Sequence, residues 1–201
     1  LIPTKNDNFF VCMRLCSIQD NRFAYRKNVL PTSMHPSQAA LIVSLAKPYL
    51  KETAQIMDPF CGVGTLLIER AHLVPAREIY ATDTYGDAIT MGRENAAFAK
   101  TRINFIHRDF FDFRHDYKFD ELITDMPVRN RQTKAEMELF YERFFDKAAE
   151  HLVSGGIIVM YSNEIGFVKK QIRLRVEYRL LQETCILDKK DFYLFVIRYE
   201  D

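Results

Sequence analysis

Short apolar segments alternate with helical patterns along the middle of the chain. The apolar segments have the length of strands and few polar positions, which is typical of strands buried on both faces. The pattern predicts five such strands, at residues 54–58, 78–83, 103–107, 119–125 and 157–161. Buried strands separated by helices favour a parallel sheet that is covered on both sides.

The stretches between these strands repeat apolar residues every three or four positions, the spacing of one buried helix face. They predict helices at residues 65–71, 87–100 and 134–152. A further helix is expected to start at Ser37, with His35 in the turn ahead of it. We expect Ser154, Gly155 and Gly156 to end the 134–152 helix, because glycine is a common helix terminator.

Two β-rich runs close the chain, at residues 178–186 and 192–199. The connection between them is too short for the crossover that a parallel pair requires, so they must pair antiparallel. The expected fold is α/β: a doubly wound, Rossmann-like, mostly parallel seven-stranded sheet with a C-terminal antiparallel hairpin.

The size and charge of the chain limit what it can do. Its 201 residues suit one domain, which we place at residues 29–201, with residues 1–28 as an N-terminal extension or linker. Lys and Arg number 28 against 27 Asp and Glu, which argues against binding nucleic acid by bulk electrostatics alone. No apolar run approaches the roughly 20 residues of a membrane span.

The four cysteines, Cys12, Cys16, Cys61 and Cys185, are too few and scattered for a disulfide framework. Cys12 and Cys16 have the spacing of a metal-binding pair, but no second Cys/His pair follows, so no metal site is expected. We interpret their surroundings as a strand. The chain begins at Leu1 without Met or a signal segment, which favours a cytoplasmic fragment of a longer protein.

A glycine-containing turn follows the first predicted parallel strand, where doubly wound sheets bind their ligands. Its candidate cofactor-binding residues are Asp58, Pro59, Phe60, Gly62, Gly64 and Thr65. Leu67 stands where the dinucleotide fingerprint has its third glycine. An NAD-dependent oxidoreductase is therefore disfavoured, and a smaller cofactor with a carboxylate and an ammonium group fits better.

Acidic residues end three successive strands. Asp83 lies 21 residues after Gly62 and can accept hydrogen bonds from ribose hydroxyls, and Asp109 can accept from an adenine amino group. Alternatively, each acid only caps the next helix. Three acids in register favour the cofactor.

A second candidate site follows the fourth strand, at Asp125, Met126 and Pro127. Proline fixes the turn, which leaves carbonyls and the Asp125 carboxylate as acceptors for both hydrogens of an amino group. Holding an aromatic amine in this way favours its pyramidal, nucleophilic form, so positioning would lower the barrier. The alternative is an ordinary strand-to-loop turn.

The segment Asp58–Thr65, with Ser33–Ala40 and Tyr25–Arg26 upstream, resembles THUMP-associated class I S-adenosylmethionine-dependent RNA methyltransferases. The resemblance implies methylation of a guanine exocyclic amine in tRNA or rRNA, with S-adenosyl-L-methionine as cofactor. It places Asp58 and Gly62 at the methionine part, Asp83 at the ribose, and Asp109 with Phe110 at the adenine. It also implies a THUMP-type RNA-binding domain, N-terminal to this chain.

Val128 stands where this family usually has an aromatic ring that stacks on the target base. Tyr161, Phe110 or Phe111 are candidates for supplying the ring instead. Arg129, Arg131 and Lys134 follow closely and are, with Val128, the candidate contacts to a structured RNA, although a solvated surface is an equal alternative. Val128 also keeps open a non-catalytic module of the same fold that binds RNA or a protein partner.

Overall fold

The computed structural model describes residues 2, 3, 8–11, 21–187 and 191–201. Cys12 and Cys16, and most of the strand predicted around them, lie outside the described residues. In the described part of the chain, no helix is both long and apolar enough to cross a membrane.

A seven-stranded sheet forms the centre of the molecule, as the sequence predicts. A separate two-stranded pair consists of β1 (Ile2–Pro3) and β2 (Phe9–Phe10). The strands of the large sheet are β3 (Gln55–Asp58), β4 (Glu78–Asp83), β5 (Asn104–His107), β6 (Phe119–Asp125), β7 (Leu152–Ser162), β8 (Tyr178–Leu187) and β9 (Phe192–Tyr199). Their order is β5-β4-β3-β6-β7-β9-β8. Strands β3 to β7 pair in parallel, and β9 pairs antiparallel with both β7 and β8.

Helices cover both faces of this sheet. They are α1 (Pro36–Ala46), α2 (Thr65–Leu73), α3 (Gly86–Phe98), α4 (Lys134–His151) and α5 (Ile165–Leu174), with short 3₁₀ helices at Lys47–Tyr49 and Phe110–Asp112. One apolar cluster joins the sheet to α1, α2 and α3, and a second joins its other face to α4 and α5. Neighbouring residues such as Ile56 and Met57 point into different clusters because side chains alternate along a strand.

The structure differs from the sequence prediction at the end of α4. The helix ends at His151, and β7 begins at the next residue, so Ser154, Gly155 and Gly156 lie within the strand. Pairing with β6 shifts from Phe119↔Leu152 to Glu121↔Ile157, which marks a bulge. Gly155 has a φ of +77°, a conformation that glycine adopts without strain. The sequence pattern also did not predict α5.

A buried ion pair fixes α2 against the sheet. Arg70 is fully buried, and its Nε and Nη2 donate to the Glu121 carboxylate on β6, each at 2.9 Å. The same guanidinium donates to the carbonyl oxygens of Lys51 and Val74. The helix that follows the glycine-containing turn is therefore tied to β6, whose carboxyl end carries Asp125.

The segment ahead of α1 packs onto the same framework. Tyr25 is buried, and its hydroxyl donates to Glu69 at 2.5 Å. The backbone N–H groups of Lys27 and Asn28 both donate to the Asn95 side-chain oxygen on α3. These contacts fasten residues 25–28 to the sheet-covering helices, while the domain boundary near residue 28 stays a prediction.

Candidate active site

A cleft of about 600 Å³ opens at the carboxyl ends of β3, β4 and β6. The strand order reverses there, since β4 lies on one side of β3 and β6 on the other. Its lining comes from residues 30–34 ahead of α1, the β3–α2 turn, Asp83, and residues 125–130, which we call the acceptor loop. The lining residues are Leu30, Thr32, Ser33, Met34, Asp58, Phe60, Cys61, Gly62, Val63, Thr65, Leu66, Asp83, Asp125, Met126, Pro127, Val128, Arg129 and Asn130.

Two glycines shape the floor of the cleft. Gly62 and Gly64 have φ values of +50° and +78°, which L side chains rarely adopt. A Cβ at Gly64 would lie 2.8 Å from Cζ of Phe105, so close packing excludes a side chain there as well. A Cβ at Gly62 would meet nothing within 4 Å, so the backbone at this position is open to a ligand.

Asp83 connects the glycine turn to the end of β4. Its Oδ2 accepts from the Gly62 N–H at 2.8 Å, and its Oδ1 accepts from the Tyr85 N–H at 2.9 Å. Each carboxylate oxygen has two lone pairs, so both can accept a further hydrogen bond from a ligand hydroxyl. Asp83 therefore combines a local capping role with the ability to bind a ribose.

Asp58 lies at the end of β3 and is 1% exposed. Its Oδ1 accepts from the Phe60 N–H at 3.0 Å. Burial raises the pKa of its carboxyl well above the ordinary value, and the nearby carboxylates of Asp125 and Asp83 raise it further. A buried carboxyl whose ionised form is disfavoured in this way favours a cationic ligand, which would restore the carboxylate form.

Asp125 is the last residue of β6 and the first of the acceptor loop. Burial raises the pKa of its carboxyl from 3.8 to about 7. The Met126 N–H donates to the Tyr161 carbonyl at 2.9 Å and holds the loop against β7. Beyond Pro127, Val128 is 51% exposed, and Arg129 lies beside Glu164, with 3.6 Å between Nε and Oε1.

Some predicted site residues lie away from the cleft. Asp109 caps the 3₁₀ helix by accepting from the Phe111 N–H at 2.9 Å, and Phe110 is 1% exposed in the core. Neither lines the cleft, and neither do Pro59, Arg131 and Lys134. Capping thus describes the observed contact of Asp109, and the adenine-binding role of Asp109 and Phe110 stays a prediction.

Leu30, Thr32, Ser33 and Met34 line the cleft, although they were absent from the predicted site. Arg26 holds this segment in place, since its Nη2 donates to the carbonyl oxygens of Ser33 and Met34 at 3.4 and 3.0 Å. The available signal was the resemblance of Tyr25–Arg26 and Ser33–Ala40 to the segment upstream of the first methyltransferase motif. His35 accepts from the Ser37 N–H and caps α1, as expected of a turn residue.

The model of one protein family matches residues 24–184, and its description is UPF0020, the RMKL-like methyltransferase domain. The chain belongs to this methyltransferase family. The match includes every residue that lines the cleft and strands β3 to β7 of the sheet. The fold is that of class I methyltransferases, and the cofactor is S-adenosyl-L-methionine.

Two curated relatives have named activities. The chain is 32% identical over 187 residues to tRNA (guanine(10)-N2)-dimethyltransferase of Methanothermobacter thermautotrophicus, covering 87% of this chain and 54% of the relative. It is 25% identical over 155 residues to release factor glutamine methyltransferase of Lactococcus lactis, covering 68% of this chain and 56% of the relative. The chain thus spans little more than half the length of either relative.

Solved structures show the same fold at lower sequence identity. TrmN from Thermus thermophilus aligns with a TM-score of 0.73 at 22% identity, covering 89% of this chain and 52% of that one. The tRNA m1G37 methyltransferase of M. jannaschii aligns with a TM-score of 0.61 at 19% identity, covering 82% of this chain and 49% of that one. At these identities the likeness concerns the fold.

The cleft fits S-adenosylmethionine in size and charge. Its volume of about 600 Å³ lies within the usual range for cofactor sites. The open backbone at Gly62 and the spare lone pairs of Asp83 can receive a nucleoside, and the acids around Asp58 suit a ligand with ammonium and sulfonium charges. The predicted cofactor residues Asp58, Phe60, Gly62, Thr65 and Asp83 share this lining, while Gly64, the residue before α2, is outside it.

Proposed function

We propose that this chain methylates the exocyclic N2 amine of a guanine in RNA, with tRNA as the leading substrate and rRNA as the other. The observation that carries the proposal is that the acceptor loop shares one cleft with the glycine turn and Asp83. A methyl donor and an amino group can therefore meet beside Asp125. The relative named as a tRNA guanine-N2 dimethyltransferase supports the choice of acceptor.

S-adenosylmethionine supplies an electrophilic methyl group when bound. The chain holds the acceptor: Asp125 and the backbone carbonyls near Pro127 accept hydrogen bonds from the two amine hydrogens. These bonds favour the pyramidal nitrogen, whose lone pair can then attack. The amine loses one proton as it gains the methyl group, and we assign that proton to the Asp125 carboxylate or to water.

Burial of Asp125 matters for this role. A carboxyl with a pKa of about 7 is close to half ionised near neutral pH in the free protein. The carboxylate of Asp125 is therefore a stronger base than an ordinary one, and it can retain a proton taken from the product. A cationic ligand in the cleft favours the ionised, accepting form.

A second acceptor is the side-chain amide of a protein glutamine. The relative named as a release factor glutamine methyltransferase favours it, and so does Val128, because an amide needs no stacking ring. An amide also offers two hydrogens on one nitrogen to Asp125. The non-catalytic module remains the alternative to both enzymes.

One experiment separates these possibilities. Full-length protein is incubated with methyl-labelled S-adenosylmethionine and either bulk tRNA, rRNA or a protein extract, and the tRNA is digested to nucleosides. We expect label in N2-methylated guanosine, lost in Asp125→Ala while S-adenosylhomocysteine binding by calorimetry is kept. Label in protein alone would favour the glutamine acceptor, and cofactor binding without any transfer would favour the non-catalytic module.

The proposal also includes features that lie outside this chain. An N-terminal THUMP-type domain would provide most of the RNA grip, in keeping with the net charge of +1. The sequence predicts a cytoplasmic protein, and the proposed substrates, tRNA and rRNA, are found in the cytoplasm.

A further inference from the structure

No described residue supplies a free aromatic ring to the acceptor side of the cleft. Among the described residues that line the cleft, Phe60 alone is aromatic and Arg129 alone is cationic. The Phe60 ring packs against Phe110, Phe140 and Phe144, with ring centroids 5.3 to 6.1 Å away, so the core holds it.

The other candidate rings are not available to a ligand. Tyr161 is 3% exposed and stacks on Phe192, with 4.9 Å between ring centroids. Phe110 is 1% exposed, and Phe111 lies outside the cleft lining with Arg143 over its ring. A base entering the cleft therefore meets no substitute ring beside Val128 in the part of the chain that the structure describes.

Arg129 directly follows Val128 in the acceptor loop and carries a flat guanidinium group. Its side chain is 45% exposed and lines the cleft. Its Nε lies 3.6 Å from Oε1 of Glu164, which is longer than a hydrogen bond. The Arg129 side chain thus has an acidic neighbour and still leaves nearly half of its surface exposed, so a planar ligand in the cleft can reach it.

Glu164 itself is firmly placed. Its backbone N–H donates to Ser162 Oγ at 3.0 Å, and Ser162 Oγ is hydrogen-bonded to the buried Tyr141 hydroxyl at 2.6 Å. The Glu164 side chain is 19% exposed. The backbone of Glu164 is therefore fixed at the start of α5, beside Arg129.

We propose that the Arg129 guanidinium stacks on the target guanine and takes the place of the aromatic ring that Val128 lacks. This inference rests on the proposed RNA substrate. The guanidinium is planar and delocalised and stacks on bases as aromatic rings do. A lysine ammonium is a compact charge without a flat face, so it cannot do the same.

The test measures single-turnover methyl transfer to saturating tRNA, with tRNA affinity measured at several salt concentrations. We expect Arg129→Lys and Arg129→Ala to slow transfer alike, by about ten- to a hundredfold, the scale of one lost base stack. The salt dependence of binding should stay the same. Adding Val128→Tyr to Arg129→Ala should restore most of the rate, because it replaces the ring.

Arg173 is an exposed arginine on α5 outside the cleft, so Arg173→Ala is the matched control and should behave as wild type. Two results together would assign Arg129 to a phosphate contact and overturn the stack. Arg129→Lys would transfer methyl at the wild-type rate, and Arg129→Ala would bind tRNA more weakly and with less salt dependence. Failure of Val128→Tyr to restore transfer would also overturn it. A wild-type protein that methylates no RNA would overturn the proposed function and the stack together.

Discussion

Asp125 has a proposed role in the cleft, and its ionised form lowers the stability of the fold. Its folded-state pKa of about 7 lies above the ordinary 3.8. The unfolded chain therefore releases this proton more readily than the folded one. Ionisation of Asp125 favours unfolding as the pH rises from about 4 to about 7 and exerts its full effect above that range.

We predict that Asp125→Asn raises the melting temperature at pH 8 and that this gain shrinks at pH 5, where folded Asp125 is largely protonated. The same variant should lose methyl transfer. Thermal unfolding at both pH values measures the effect, with Asp116→Asn as an exposed control. A gain that is equal at both pH values would contradict the role of ionisation.

Asp83 serves the glycine turn and, in our proposal, the cofactor ribose. Asp83→Asn replaces one of the two acceptor oxygens with an N–H₂ group, which accepts no hydrogen bond. Either the Gly62 N–H or the Tyr85 N–H therefore loses its acceptor. We predict that S-adenosylhomocysteine binds about ten- to a hundredfold more weakly, the scale of a charge-assisted hydrogen bond.

Calorimetry measures the affinity of Asp83→Asn, and circular dichroism checks that the variant is folded. Unchanged affinity would mean that Asp83 only caps the turn.

At the scale of elements, the start of α2 depends on close packing between a turn and a strand. Phe105 on β5 lies under Gly64 and also under Gly92 of α3, where an added Cβ would be 2.5 Å from the ring. One aromatic side chain thus sets the distance between β5 and two helices. The glycines are needed here for space as well as for backbone conformation.

Gly64 and Gly155 allow these two requirements to be separated. Their φ values are +78° and +77°, but a Cβ at Gly155 meets nothing within 4 Å. We predict that Gly155→Ala costs about 1 kcal/mol from backbone strain. Gly64→Ala should cost about 1–3 kcal/mol more, because it also displaces the Phe105 ring. Urea unfolding measures both, and equal losses would show that Phe105 yields without cost.

At the scale of the whole molecule, Arg70 and Glu121 connect α2, β6 and the segment before β3. Both are buried, and Glu121 also accepts from the Lys51 N–H at 2.9 Å. Removing one charge leaves the other buried without its partner, which costs more than the pair itself contributes.

We predict that Arg70→Met destabilises the fold by about 3–5 kcal/mol. The double variant Arg70→Met, Glu121→Leu should be more stable than Arg70→Met, although it carries one substitution more, because no unpaired charge remains. Recovery should be incomplete, since the Lys51 and Val74 carbonyls lose their donor. Urea unfolding of the wild type and both variants measures this, and simple additivity of losses would contradict it.

The sequence by itself determined the α/β fold class, the mostly parallel sheet and most element positions, because buried parallel strands and amphipathic helices have strong local patterns. Five parallel strands, the terminal hairpin and α1 to α4 were all predictable in this way. It also indicated Asp58, Gly62, Asp83 and Asp125, since ligands of such sheets bind where strands end. The pattern did not predict α5. It also assigned Gly155 to a helix end, although the residue lies in a strand bulge, because glycine is common in both places.

Only the tertiary structure decided which of the strand-end residues share a space. It brought residues 30–34 into the cleft through Arg26, and it left Asp109 as a cap and Phe110 in the core. It also decided that the Tyr161 and Phe110 rings are buried, that Phe111 lies outside the cleft lining, and that Arg129 lines the cleft with a partly exposed side chain. Exposure and proximity arise from packing between segments far apart in the chain, and no local pattern of residues encodes them.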